Sequence, residues 1–140
     1  MDVFLTGATG FVGTAIAKEL ANRGHRVVAL ARSERAMSVL RGAGLDVHRG
    51  DIAEPQSLVP ALDGVDAVIH TAFNHDFSRY VENCEADGRL LDVLSRALVD
   101  SDKVLIATSG TTVAAPDGLA TENDIGAEQI PRRESEAFLN

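Results

Sequence analysis

The sequence predicts an α/β fold: a doubly wound parallel sheet with strand order 3-2-1-4-5 and helices on both faces. Short runs rich in Val, Leu and Ile alternate with longer segments of helical periodicity. The first run leads directly into a glycine-rich turn and a helix. Right-handed crossovers between parallel strands restrict the strand order and bring the carboxyl ends of the strands to one edge. The 140 residues, 45% of them hydrophobic, suffice for one domain with a substantial core, and we assign residues 1–140 to it.

The first strand and helix occupy the N-terminal part of the chain. An apolar run predicts a strand over about Asp2–Thr6, and a helix follows from about Phe11 to Arg23. Gly24 is the expected C-terminal cap of that helix. The residues predicted to bury the apolar face of the helix, spaced by four, are Val12, Ile16 and Leu20.

Two further strands and two helices are predicted in the next part of the chain. A strand over Arg26–Ala31 precedes a helix that is capped by Ser33 and ends near residues 42–44. A third strand over Leu45–His48 follows. A short helix then begins at Pro55, because proline is accepted in a first helical turn.

The rest of the sequence predicts two more strands, one before and one after the longest helix. The strands cover Asp66–Thr71 and Lys103–Thr108, and the helix covers about Asp76–Val99. A loop over 109–130 and a final helix from about Pro131 complete the prediction. The predicted apolar stripe of the long helix comprises Phe77, Val81, Cys84, Leu91, Leu94 and Leu98.

The composition argues against several classes of function. Thirteen Lys and Arg residues against 21 Asp and Glu residues give a net charge of −8, which disfavours binding to nucleic-acid phosphates. No apolar run approaches membrane-spanning length, and the first residues form a strand pattern rather than a secretory signal. Cys84 is the only cysteine, so we expect core packing rather than a disulfide or a catalytic thiol, and a cytoplasmic location. No spacing of His, Cys, Asp and Glu resembles a metal site.

The glycine turn after the first strand predicts a dinucleotide site. One glycine permits the tight turn, one allows the backbone to approach a pyrophosphate, and one allows the helix to pack closely on the strand. The phosphates would bind the N–H groups and positive dipole end of the first helix. An ordinary tight β–α connection is the alternative, but it would not need three glycines at this spacing. The site residues predicted here are Gly7, Thr9, Gly10, Phe11, Val12 and Gly13.

Four segments together resemble the short-chain dehydrogenase/reductase superfamily, specifically its extended or atypical branch. They are the TGxxGxxG pattern at 6–13, Gly-Asp-Ile at 50–52, Val-Ile-His-Thr-Ala at 68–72, and Leu-Ile-Ala-Thr-Ser-Gly at 105–110, and they occur in the order expected of that branch. The resemblance implies a Rossmann-type NAD(P)-binding domain. It implies that Asp51 and Ile52 contact the adenine, and that Thr71, Ala72 and Thr108 lie along the cofactor.

The catalytic pair of that superfamily is missing. Members carry Tyr-x-x-x-Lys after the fifth strand, but the single tyrosine here, Tyr80, is followed four residues later by Cys84. Arg132 occupies the place of the Lys in the best-fitting frame. There Arg132, or the adjacent Arg133, would bind cofactor phosphate or polarise a carbonyl, and the alternative is that both arginines lie in a solvated first helical turn. For the catalytic hydroxyl, Gly110 stands in the usual position. Its neighbours with a hydroxyl are Thr108, Ser109 and Thr111, of which we favour Ser109.

The segment 73–80 follows the fourth strand and combines His, Asp, Arg and Tyr. In the resemblance it lies near the nicotinamide, so His75 is a candidate proton donor in place of the missing tyrosine. The alternative is that Asn74 or Asp76 caps the long helix and His75 only faces solvent. His25 and His48 flank strands and are expected to be structural.

The end of the second strand predicts the choice of dinucleotide. NAD-binding proteins place an acid there for the ribose hydroxyls, whereas this chain has Arg32. A guanidinium pairs with a 2′-phosphate, so we predict NADP in preference to NAD, with Arg35 as a second contact. The alternative is that Arg32 is simply an exposed charge at a strand end.

The resemblance implies an NADP-linked oxidoreductase or epimerase-type protein acting on a small carbonyl or alcohol. Members of the branch are roughly twice as long, and their C-terminal half forms most of the substrate pocket. We therefore expect the substrate-binding part to be missing, and the alternative function is a non-catalytic dinucleotide-binding module or an inactive fragment. The substrate itself is not specified by the sequence. The helix over 76–99 is the expected surface for a homo-oligomer.

Overall fold

Five strands form one parallel sheet in a computed structural model that describes residues 1–110, 121 and 131. The spatial order is β3-β2-β1-β4-β5, which confirms the predicted doubly wound α/β topology. The strands are β1 (Asp2–Thr6), β2 (Arg26–Ala31), β3 (Asp46–Arg49), β4 (Ala67–His70) and β5 (Val104–Ala107).

The register of the sheet aligns the carboxyl ends of its strands. Thr6, the last residue of β1, lies opposite His70, the last residue of β4. Ala31 at the end of β2 lies opposite Arg49, and His70 lies opposite Ala107 at the end of β5. The residues that follow these positions therefore share one edge, where ligands of doubly wound sheets bind.

Two of the helices end or begin at the residues that the sequence predicts. The hydroxyl of Ser33 accepts the N–H of Ala36 (3.2 Å) and caps the second helix. Gly24 follows the first helix with a φ of +77°, a conformation in which glycine carries no steric penalty. The helices are α1 (Phe11–Asn22), α2 (Glu34–Gly42), α3 (Val59–Leu62) and α4 (Tyr80–Leu98), with 3-10 turns over Pro55–Ser57 and Phe77–Arg79.

The sheet separates two apolar cores of different character. The core between the sheet and the helices α1 and α2 is rich in alanine, whereas the core towards α3 and α4 is rich in leucine. The alanine-rich core contains Leu5, Ala8, Ala17, Val27, Ala29, Ala31, Met37 and Leu40. The leucine-rich core contains Phe4, Leu58, Leu62, Val65, Val68, Leu90, Leu91, Leu94 and Leu98.

Three residues predicted to be buried are exposed. Val12 is 50% exposed, because Gly13 and Ala17 form the face of α1 that contacts the sheet. Phe77 and Val81 are 68% and 54% exposed, because they lie at the start of the long helical segment, beyond the end of β4. The predicted burial of Cys84, Leu91, Leu94 and Leu98 is confirmed.

Some predicted elements differ from, or lie outside, this description. The helix predicted from Asp76 begins as a 3-10 turn and becomes α-helical at Tyr80. The loop predicted over 109–130 and the helix after Pro131 lie outside the described residues, apart from residues 109, 110, 121 and 131. Of the helices in the described part of the chain, none is long and apolar enough to cross a membrane.

Candidate functional site

The turn between β1 and α1 has no room for side chains at two of its glycines. Gly7 adopts a φ of +73°, and an added Cβ there would lie 2.5 Å from Thr71 Oγ1 and 2.8 Å from the amide nitrogen of Ala72. An added Cβ at Gly13 would lie 2.6 Å from the carbonyl carbon of Gly7 and closer still to its oxygen. The N–H of Gly10 donates to that same oxygen at 2.8 Å. The turn therefore requires glycine for reasons that are visible in its geometry.

The N-terminal end of α1 is available to an anion. Its capping residue is Gly10, and within the described part of the chain no side chain caps this end and no acid lies in its first turn. By contrast, α2 is capped by Ser33 and carries Glu34 in its first turn. Phe11, the first residue of α1, is 95% exposed, so solvent reaches this helix end. Uncapped N–H groups and the helix dipole make such an end a phosphate site.

Hydrogen bonds hold the ends of β1 and β4 together beside this turn. The Thr6 hydroxyl oxygen accepts the N–H groups of Thr71 (3.2 Å) and Ala72 (3.3 Å). The Thr71 hydroxyl donates to the carbonyl oxygen of Thr6 at 2.7 Å. Because Gly7 follows Thr6, these bonds fix Thr71 and Ala72 against the glycine turn. The structure thus brings together two segments that the sequence assigned separately to the cofactor.

A buried polar network lies behind this junction. His70 is 1% exposed, and its Nδ1 lies 2.7 Å from Thr6 Oγ1 while its Nε2 lies 3.0 Å from Asp87 Oδ1 on α4. Since Thr6 Oγ1 already accepts two backbone N–H groups, its own hydrogen points to Nδ1, and Nε2 donates to the Asp87 carboxylate. The network therefore links α4 to the residues that support the glycine turn.

Sequence reasoning missed Asp87. A signal for Asp87 was present in the sequence. The residue lies three positions after Cys84 and four before Leu91, so it falls on the predicted apolar stripe of the long helix. A carboxylate at a core position needs a buried partner. His70, at the end of β4, supplies it.

The predicted adenine contacts lie at the end of β3. Asp51 Oδ1 accepts the N–H of Ala53 (3.0 Å), and the Ser57 hydroxyl accepts the N–H of Asp51 (3.0 Å). These bonds hold the loop in place at the carboxyl edge of the sheet. Ile52 packs against the leucine-rich core, and a groove of about 890 Å³ runs from it along the Arg89 side of α4.

Three arginines cluster at the ends of β2 and β3. Arg32 directly follows β2, and Arg35 lies in the first turn of α2. Both are exposed, and neither makes an ion pair with another described residue. Arg49, at the end of β3, pairs with Glu34 through Nη1 and Oε1 at 3.0 Å. The region is thus exposed and carries positive charge next to the carboxyl edge.

His75 lies within a group of aromatic rings. Its ring packs edge-on against Phe73 (5.5 Å between centroids) and Phe77 (6.0 Å), and Tyr80 stacks on Phe77 at 6.1 Å. The histidine itself is exposed. The segment follows β4 at the carboxyl edge of the sheet, and its role as a proton donor stays a prediction.

Asp76 caps the turn that follows His75. Its Oδ1 accepts the hydroxyl of Ser78 (2.6 Å) and the N–H of the same residue (3.1 Å). The Ser78 hydroxyl, followed by its N–H and the charge of Arg79, lowers the pKa of Asp76 below its usual value of 3.8. The capping role proposed as an alternative for this segment is therefore realised by Asp76, at the 3-10 turn that precedes α4.

The hydroxyl candidates lie at the end of β5. Thr108 donates from Oγ1 and from its backbone N–H to the carbonyl oxygen of His70, at 3.2 and 3.0 Å. Ser109 comes next and is exposed. Arg132 lies outside the described residues. Within residues 1–110, 121 and 131, no three or more His, Cys, Asp and Glu side chains are grouped to hold a metal ion.

Comparison with known proteins identifies the family. Residues 3–136 match the model of the NAD dependent epimerase/dehydratase family. The chain belongs to this family. Its members bind NAD(P), which agrees with the glycine turn and the uncapped helix end described above. The resemblance to the extended branch of the short-chain dehydrogenase/reductase superfamily is thereby confirmed.

The matches to individual relatives cover most of this chain but less than half of the length of each relative named below. An uncharacterized protein of Schizosaccharomyces pombe is 40% identical over 135 residues, which is 95% of this chain and 46% of the relative. The sterol-4-alpha-carboxylate 3-dehydrogenase, decarboxylating, of Dictyostelium discoideum is 32% identical over 118 residues, with 80% and 36% covered. The crystal structure of UDP-glucose 4-epimerase from Bifidobacterium longum with NAD+ and UDP is similar with a TM-score of 0.76 at 22% identity, covering 99% of this chain and 47% of the epimerase. This structural likeness shows the shared fold.

Proposed function

We propose that this chain is the dinucleotide-binding part of an NADP-linked oxidoreductase or epimerase-type enzyme that acts on a small carbonyl or alcohol. The observation that carries the proposal is the turn at Gly7, Gly10 and Gly13, together with the uncapped end of α1. A Cβ at Gly7 or Gly13 would clash with backbone, and the helix end has no capping side chain within the described residues. A pyrophosphate fits such a helix end.

The protein residues position the cofactor, and the cofactor supplies the redox chemistry. When bound, a nicotinamide donates or accepts hydride. The backbone of residues 10–13 would hold the pyrophosphate. Asp51 and Ile52 would contact the adenine, and Thr71 and Ala72 would lie along the part of the cofactor that leads to the nicotinamide. Ser109 and His75, at the carboxyl ends of β5 and β4, are the proposed hydrogen-bonding and proton-donating groups for the substrate oxygen.

Arg32 supports the choice of NADP. It stands where NAD-binding proteins place a carboxylate, is exposed, and has no ion-pair partner among the described residues. A guanidinium offers two parallel N–H donors to a 2′-phosphate, and Arg35 adds a second charge nearby. The family description names NAD, so the preference for NADP is a property proposed for this chain from its own residues.

Titration with both cofactors tests this proposal. The fluorescence of NADPH and NADH is followed on binding to the wild-type chain and to Arg32→Ala. We expect NADPH to bind more tightly, and Arg32→Ala to lose about tenfold or more of the affinity for NADPH alone. Arg23→Ala is the control, because Arg23 is also exposed but follows the opposite end of α1, where it pairs with Glu19. Tighter binding of NADH, or an unchanged affinity of Arg32→Ala for NADPH, contradicts the proposal.

A dinucleotide-binding module without catalysis is the second candidate function. The sequence contains one tyrosine, Tyr80, and no Tyr-x-x-x-Lys pair, which favours this alternative. The name of the Dictyostelium relative, a dehydrogenase, favours the enzyme. Oxidation of NADPH in the presence of a panel of aldehydes and ketones distinguishes the two. Turnover that falls in Ser109→Ala supports the enzyme, whereas binding without turnover on any compound supports the module.

A further inference from the structure

The exposed ion pair between Glu34 and Arg49 lies next to the proposed 2′-phosphate site. Glu34 is the first residue of α2 and stands two residues after Arg32. Arg49 is the last residue of β3, and its backbone lies opposite Ala31, the residue before Arg32. Their side chains are 72% and 70% exposed and meet at 3.0 Å. The pair bridges the start of α2 and the end of β3 at the edge where the ribose would bind.

We propose that this pair sets the preference between NADP and NAD, with Glu34 as a specificity residue that Arg49 holds neutralised. This inference rests on the proposed binding of NADP. A carboxylate two residues from Arg32 would repel a 2′-phosphate, whereas it could accept hydrogen bonds from the ribose hydroxyls of NAD. Arg49 pairs with that carboxylate at 3.0 Å and so offsets its charge. The pair thus allows an acid to stand beside a phosphate site without opposing the phosphate.

The pair does not fit a role in stability alone. Both side chains are more than two-thirds exposed, and exposed ion pairs contribute little to folding. Ser33 caps α2 through the N–H of Ala36, and Glu34 in the first turn interacts favourably with the helix dipole with or without Arg49, so the helix does not depend on the pair. Its position at the carboxyl edge, rather than its energy, is what distinguishes it from other surface pairs such as Arg23–Glu19.

Three variants separate this role from direct contact between Arg49 and the phosphate. The dissociation constants of NADPH and NADH are measured for Arg49→Ala, Glu34→Gln and the double variant. We expect Arg49→Ala to weaken NADPH binding about three- to fivefold without weakening NADH, and Glu34→Gln to tighten NADPH binding by a similar factor. The double variant, in which both charges are gone, should return to within about twofold of wild type. High salt should reduce each difference.

The outcomes distinguish this inference from the proposed function. A double variant as weak as Arg49→Ala overturns it, because Arg49 would then bind the phosphate itself. Unchanged NADPH affinity in both single variants also overturns it, even where the wild type prefers NADPH through Arg32. A wild-type chain that does not bind NADPH overturns both proposals. Retained NADH binding shows that each variant is folded, and Arg23→Ala, which removes an equally exposed pair, should leave the preference unchanged.

Discussion

Replacing Gly13 with alanine should destabilise the fold and weaken the cofactor site together. The added Cβ would lie 2.6 Å from the Gly7 carbonyl carbon and closer still to its oxygen, whereas ordinary contacts begin at 3.4 Å, so α1 and the turn must part by more than about 0.8 Å. Both partners are backbone and cannot rotate away. Because three backbone atoms lie at or within 3.0 Å of the added Cβ, the overpacking should cost about 3 kcal/mol, the upper end of the usual range, and the better helix propensity of alanine returns about 1 kcal/mol. We expect a net loss of about 2 kcal/mol and a Tm lower by roughly 5–10 °C.

Thermal and urea unfolding followed by circular dichroism measure the loss of stability, and NADPH fluorescence measures binding. Binding should fall about tenfold or more, because the N–H groups at the start of α1 move away from the pyrophosphate. Gly42→Ala is the control, since an added Cβ there meets nothing within 4 Å, and it should gain about 0.5 kcal/mol or more. If Gly13→Ala keeps both the wild-type stability and the wild-type affinity, the close approach of α1 to Gly7 is not the reason for the glycine at position 13.

The polar groups of the site give two further predictions. Asp87→Ala removes the acceptor of the buried His70 Nε2–H and should lower the free energy of urea unfolding by about 1–3 kcal/mol. Asp87→Asn keeps an oxygen at that position and should lower it by at most about 1 kcal/mol. Equal losses in the two variants would contradict the assigned hydrogen bond. The pKa of Asp76 is lowered, so its contribution to stability is complete above 3.8 and is lost as the pH falls through the lower pKa of the folded chain. A carboxyl NMR titration should show this midpoint below 3.8, and Ser78→Ala should raise it; an unchanged midpoint would refute the cause given.

The strands and their order were predictable because each signal is local. Apolar runs define the strands, and crossover handedness fixes their arrangement. The first strand was predicted and found over Asp2–Thr6, and the glycine turn led to the correct family. Helix ends marked by Ser33 and Gly24 were equally local, since a hydroxyl or a positive φ acts on the adjacent backbone.

Features that depend on two distant segments were not predictable in the same way. Helical periodicity treats Val12 and Phe77 as core residues, but it does not show that Gly13 and Ala17 form the contact face of α1, nor how far the long helical segment extends past β4. The link between His70 and Asp87 joins residues 17 positions apart and depends on how α4 lies across β4. The ion pair of Glu34 with Arg49 depends on the pairing of β2 with β3. These contacts are consequences of packing, which no single segment specifies.

The unequal cores on the two faces of the sheet imply unequal tolerance to mutation. Four alanines and Gly13 lie on the side that supports the glycine turn, and at Gly13 even one added carbon meets backbone. Leucines fill the opposite side, where alternative rotamers and volume-conserving exchanges can be accommodated. Sequence drift and engineered stabilisation should therefore concentrate among the leucines beneath α4, away from the His70–Asp87 contact, where the core can be rebuilt without displacing the glycine turn.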